Sequence, residues 1–195
     1  MEVITELDMR IMSEISKDLT RKWSIRGISL AIGKHYRPVY QAVQRLLKWG
    51  HIARNANRLL EPLFKEALLL EIAERNRLST QRKEIRIIEN RLKNMRSVFF
   101  SAVLFGSSVN KKGRDIDILM IIPDSESIEK FKQEAKTALG SFESEVDIQA
   151  IHEESCYEML NNPNQLNVMN EIMKNHLVLN GAESFYNILK RWKNG

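Results

Sequence analysis

Three aspartates carry the chemistry this sequence is best equipped to do. Asp115 and Asp117 stand two apart in DIDILMII, residues 115 to 122, and Asp147 stands in EVDIQAI, residues 145 to 151. Both segments are apolar and β-branched, so each predicts a strand. A strand sends alternate side chains to opposite faces, which puts Asp115 and Asp117 on one face and Ile116 and Ile118 on the other. Two carboxylates so placed repel each other unless a cation lies between them, and a hard, oxygen-seeking ion such as Mg²⁺ suits the pair. Asp147 points away from Val146 and Ile148 on its own strand. If that strand lies beside the first, three carboxylates converge. Such a set can hold two Mg²⁺ ions about 3.5–4 Å apart, one activating an attacking oxygen and both stabilising a phosphoryl group in transfer.

Other elements must position these residues. VFFSAVLF, residues 98 to 105, reads as a buried strand that opens into the turn Gly106-Ser107-Ser108, and the polar loop VNKKGR leads on to Asp115. A helix with Ile128, Phe131, Ala135 and Leu139 on its inner face separates the two aspartate strands. Upstream, residues 62 to 95 lack glycine and read as two helices with a break at Leu78-Ser79-Thr80. The first would pack through Leu63, Ala67, Leu70 and Ile72-Ala73, the second through Ile85, Ile88, Leu92 and Met95. The outer face of the second carries Arg82, Lys83, Arg86, Arg91 and Lys93, a solvated face that could extend an anion-binding surface.

The front of the chain has a different pattern. Leu7, Ile11, Ile15 and Leu19 predict an amphipathic helix over residues 6 to 19, with Thr5 and Asp8 at its start. Ser24 caps a second, short helix with Ile25, Ile28 and Ala31 or Ile32 on one face that stops at Gly33. Pro38 opens a third, about 37 to 49, whose inner stripe is Val39, Val43 and Leu46 and whose stop is Gly50. Then Ile52-Ala53 and Leu59-Leu60 flank Asn55-Ala56-Asn57, a small hairpin with Arg54 and Arg58 near its tip.

Both halves resemble known families. SIRGISLAIGKHYRPVYQAVQRLLKWGHI, within residues 6 to 62, is similar to the winged helix-turn-helix. That resemblance implies DNA as a partner, with the third helix in the major groove. Tyr40, Gln41, Gln44, Arg45 and Lys48 would then donate to phosphates or read base edges, and Arg54 and Arg58 would approach the flanking backbone or minor groove. The joint pattern LFGSS…DIDILMII with a later lone aspartate, over residues 97 to 192, resembles the nucleotidyltransferases of the DNA polymerase beta type, and in particular the minimal prokaryotic ones, whose C-terminal segment is similar to HLVLNGAESFYNILKRW. It implies that Asp115, Asp117 and Asp147 are catalytic and bind two Mg²⁺, and that Gly106, Ser107 and Ser108, with Lys111 or Lys112, meet the phosphates of a nucleoside triphosphate, ATP being the expected one. A nucleoside monophosphate would pass to an acceptor and pyrophosphate would leave. Two positions depart from that family: Arg114 precedes the aspartate pair, and Val109-Asn110-Lys111 replaces an Ala-Arg-Gly segment.

The expected architecture is therefore α+β: a winged helix over residues 1 to 62, a helical bridge over 63 to 97 and a nucleotidyltransferase fold over 98 to 195. Charge follows the same division. Residues 1 to 62 hold 11 basic and 6 acidic side chains, 63 to 97 hold 9 and 5, and 98 to 195 hold 10 and 14, giving +5, +4 and −4 within a net +5. An anion-binding front and a cation-binding back are the reading of that asymmetry. With 43% hydrophobic residues, no apolar run of bilayer length, no leader-like start and one cysteine, the chain reads as folded, cytoplasmic and free of membrane or disulfide. Two functions compete. One is an Mg²⁺-dependent nucleotidyltransferase with a DNA-binding domain. The other is a DNA-binding regulator whose back domain senses a nucleotide without turnover, Arg114 pairing with Asp115 or Asp117 in place of metal. A protein acceptor, as in toxin–antitoxin pairs, is a third option, and a homodimer is an expectation carried by the winged helix alone.

Overall fold

The computed structural model describes residues 3–64, 67–110 and 115–194, and within these the chain is a mixed α+β structure with two small sheets. Three helices come first: α1 (Glu6–Ser16), α2 (Ile25–Ala31) and α3 (Tyr36–Trp49). Thr5 and Asp8 form a reciprocal capping box, Thr5 Oγ1 accepting from Asp8 N and Asp8 Oδ2 from Thr5 N. α1 stops three residues short of the predicted end. Asp18 Oδ1 takes the N–H groups of Thr20 and Arg21, and Leu19 N donates to Met173 O at 2.8 Å, so local and long-range bonds outcompete another helical turn. Ser24 caps α2 as expected, and Gly50, at φ 74°, closes α3 in the left-handed conformation.

The strands β1 (Ile52–Arg54) and β2 (Leu60–Pro62) pair antiparallel, and Trp23 bridges to Leu60 along the free edge. Asn55 Oδ1 organises the hairpin turn by accepting from Asn57 N and Leu59 N. Then α4 (Ala67–Ser79) and α5 (Lys83–Lys93) follow, broken where the sequence predicts. Leu70 and Ala73 of α4 are buried, whereas Ile72 is exposed and Leu69 takes the inner position instead. The packing of Ala67 lies outside the described residues.

The second sheet has the order β5-β4-β3-β6, with β3 (Ser101–Phe105), β4 (Ile116–Ile122), β5 (Val146–His152) and β6 (His176–Asn180). β3 runs antiparallel to both β4 and β6, while β4 and β5 are parallel. A parallel neighbour needs a crossover, which α6 (Ile128–Leu139) supplies, as its apolar stripe predicts. β3 starts at Ser101 rather than 98; Phe100 N already donates to Ile121 O of β4 at 2.8 Å, and upstream the Glu134 carboxylate binds the N–H groups of Arg96 and Ser97. The helices α7 (Glu153–Asn161), α8 (Val168–Lys174) and α9 (Ala182–Asn194) complete the chain.

Two apolar clusters cover the two faces of this sheet. One joins α5 and α6 to Leu104, Ile118 and Ile148. The other joins α7, α8 and α9 to Val103, Phe105, Leu119 and Ile121, and continues through Leu69, Leu70 and Ala73 into α1, α2 and α3. α4 is thus shared by front and back. Its Glu74, fully buried, accepts from Tyr186 Oη, Val178 N and Arg77, which also reaches His176 O. A buried carboxylate is tolerable only with such partners.

Candidate functional site

In the parallel register of β4 and β5, Asp117 lies opposite Asp147, so the two carboxylates project side by side from one face of the sheet. It is the face of Leu119 and Ile121, covered by α7 to α9. Asp115 stands just before β4 and is exposed, as is Asp147, while Asp117 is half-buried. The expected strand over residues 115 to 122 thus begins one residue late, leaving Asp115 outside it, while Asp117 and Asp147 occupy paired strand positions.

β3 ends against the same corner. Phe105 pairs with Asp117, and Gly106 then turns the chain with φ 71°. A Cβ on Gly106 would lie 2.7 Å from Asp117 Oδ2, so the missing side chain is what lets the carboxylate approach the turn. Ser107 is exposed beside it. Ser108 departs from its expected phosphate role: it is fully buried, and its hydroxyl donates to Phe105 O. The segment Gly106–Asn110 is a single 3₁₀ turn, rather than the head of an α-helix. Lys111, Lys112 and Arg114 lie outside the described residues.

Two residues with no sequence signal join the site. Glu171 of α8 acts electrostatically on Asp117, and Asn175, which ends that helix, donates from Nδ2 to Gly106 O at 3.1 Å. The Asp117 carboxyl is held above its usual pKa, first by burial and then by the charges of Asp147, Asp115 and Glu171. Among the described residues no salt bridge reaches Asp115, Asp117 or Asp147, and no three acidic, histidine or cysteine side chains are already gathered around a metal-sized space. The donor set is nonetheless all oxygen and crowded with like charge, which fits a hard divalent cation. Cys156 contributes nothing here. It is buried against Met169 with its thiol pushed up to about 12 by burial, far from the thiolate form.

The front presents a second candidate surface. Residues 19 to 60 contain nine Lys and Arg and no Asp or Glu. Tyr40, Gln41 and Lys48 of α3 are exposed, as are Arg54 and Arg58 of the hairpin, and Gln44 is half-buried. Arg45 must be withdrawn from the expected DNA-facing set, because its guanidinium turns inward to Asp8 Oδ1 at 2.9 Å and to Thr5 Oγ1. An arginine four residues along from Gln41 reads as outward-facing until α1 brings a buried carboxylate against it. Arg26, Lys34, Tyr36 and Arg37, which the helical stripe alone did not single out, are exposed on the same stretch. Tyr36 and Tyr40 stand with ring centroids 6.0 Å apart.

No family model, no curated protein and no solved structure matches the chain. Among the described residues no helix is long and apolar enough to cross a membrane.

Proposed function

We propose that the protein is an Mg²⁺-dependent nucleotidyltransferase of the DNA polymerase beta type, joined to a winged helix that binds DNA. The observation that carries the reading is the juxtaposition of Asp117 with Asp147 in register, beside a Gly106-Ser107 turn whose glycine leaves room for the Asp117 carboxylate. Asp115, Asp117 and Asp147 would hold Mg²⁺, which supplies charge neutralisation to the triphosphate and acidity to the attacking hydroxyl.

The chain's own contribution is then positional and electrostatic. Gly106 lets a phosphate come close to the backbone, and the exposed Ser107 hydroxyl donates to it. Asp147 would receive the acceptor's proton. The acceptor oxygen bonds to the α-phosphorus, the bond from that phosphorus to the β-phosphate oxygen breaks, and pyrophosphate leaves. The exposed cations of α2, α3 and the hairpin turn, within a stretch from 19 to 60 that lacks acidic residues, support duplex binding, since cations near phosphates release counterions from DNA.

Incubation with Mg²⁺ and each α-labelled nucleoside triphosphate tests this: label should transfer, or pyrophosphate should appear, and Asp115→Asn or Asp117→Asn should remove the activity. Activity untouched by either substitution would sink the assignment. The regulator reading shares the winged helix and differs at this assay, predicting nucleotide binding without turnover.

A further inference from the structure

We propose that Asn175 is a positioning residue for the triphosphate, acting through the peptide that joins Gly106 to Ser107; the inference rests on the nucleotidyltransferase reading above. Asn175 Nδ2 donates to Gly106 O at 3.1 Å across 69 residues of sequence. In a trans peptide the carbonyl and the following N–H point in opposite directions. Holding Gly106 O from one side therefore aims the Ser107 N–H to the other. Gly106 needs such a hold, because at φ 71° with no side chain its backbone has more freedom than any other residue would give it.

Asn175 is itself fixed from three directions. Its own N–H donates to Glu171 O at 3.1 Å, closing α8. The next residue, His176, is fully buried, donates from Nδ1 to Ile172 O at 2.7 Å and pairs with Phe105 across β3 and β6. The residue before Gly106 and the residue after Asn175 are thus strand partners, so the amide and the carbonyl it holds are registered by the sheet. A donor locked in this way restrains the turn before any ligand arrives, which lowers the ordering cost of binding.

The role separates from mere structural support by the part of the ligand it affects. Asn175→Ala should weaken binding of ATP in Mg²⁺ about tenfold by calorimetry, as expected for one lost hydrogen bond, while adenosine affinity stays at the wild-type value. Asn175→Ser, which keeps the backbone N–H that closes α8 and whose hydroxyl is too short to reach Gly106, should give the same split and carries the test if the alanine variant fails to fold. ATP affinity unchanged in both variants, or ATP and adenosine weakened alike, overturns the role. If both variants behave so while the wild type still binds and turns over ATP, only this inference falls. A wild type that binds no nucleoside triphosphate overturns the parent reading and this role with it.

Discussion

The two charged regions of the molecule hold their charge in opposite ways. Between residues 19 and 60 the cations are spread over an exposed surface, with Arg26, Lys34, Arg37, Lys48, Arg54 and Arg58 all in solvent. At the ends of β4 and β5 the carboxylates are gathered into one corner, Asp117 half-buried and raised in pKa by its neighbours. A spread of solvated cations costs little to maintain, and on the proposed reading it meets a large polyanion. A crowded carboxylate corner is costly unless something cationic joins it, so it has the character of a built site. Arg45, whose guanidinium reaches the buried Asp8, marks the boundary between the two styles: it ties α3 to α1.

Between these regions lies the shared helix α4 and its buried network, and the largest effect on stability is expected there. Burial holds His176 neutral, with its pKa lowered to about 4. In the unfolded chain it titrates near 6.5, so the unfolded state binds more protons between about 4 and 6.5 and stability falls as pH drops through that window. The loss should be about 2.5 kcal/mol in urea unfolding at pH 4.5 against 7.5. His176→Asn should flatten the dependence; an unchanged slope contradicts the assignment.

At the carboxylate corner, Gly106→Ala forces a Cβ to 2.7 Å from Asp117 Oδ2 at a positive φ. Displacing a reacting group by about an ångström costs on the order of a hundredfold in rate. Transfer should therefore fall about that far in steady-state assays, with melting temperature lowered by only a few degrees. Equal losses of rate and folded protein would make the glycine structural only.

Breaking the front in two ways separates its inward and outward cations. Arg45→Ala leaves the buried Asp8 carboxylate without its cation, so chemical unfolding should show a loss of about 2 kcal/mol with little change in the salt dependence of duplex binding. Arg37→Ala with Lys48→Ala should do the reverse. Stability should hold, while duplex affinity falls about tenfold and the slope of log affinity against log salt drops by about 2. If Arg45→Ala carries the larger loss of affinity at unchanged stability, the inward assignment fails.

Much of this was legible in the sequence because it rests on local rules. The caps at Thr5 and Ser24, the stop at Gly50 and the helix over Ile128–Leu139 are set by residues a few positions apart. So are the aspartate strands, whose alternation is local even though their pairing is not. What was missed depends on contacts between distant segments. Arg45 finds Asp8 across 37 residues, Asn175 finds Gly106 across 69, and Glu171 reaches Asp117 only because α8 packs beneath β3. Ser108 failed differently: next to an exposed serine, only the fold of the turn decides which hydroxyl faces out.

The central claim is that the carboxylate corner transfers a nucleotide. The most direct measurement is release of pyrophosphate from each α-labelled nucleoside triphosphate in Mg²⁺, with label followed onto the protein, added DNA and other acceptors, in the wild type and in Asp117→Asn. The account predicts turnover in the wild type and a loss of at least about a thousandfold in the variant, a barrier increase of about 4 kcal/mol. Turnover that survives Asp117→Asn, or a wild type that binds no nucleoside triphosphate at all, contradicts it.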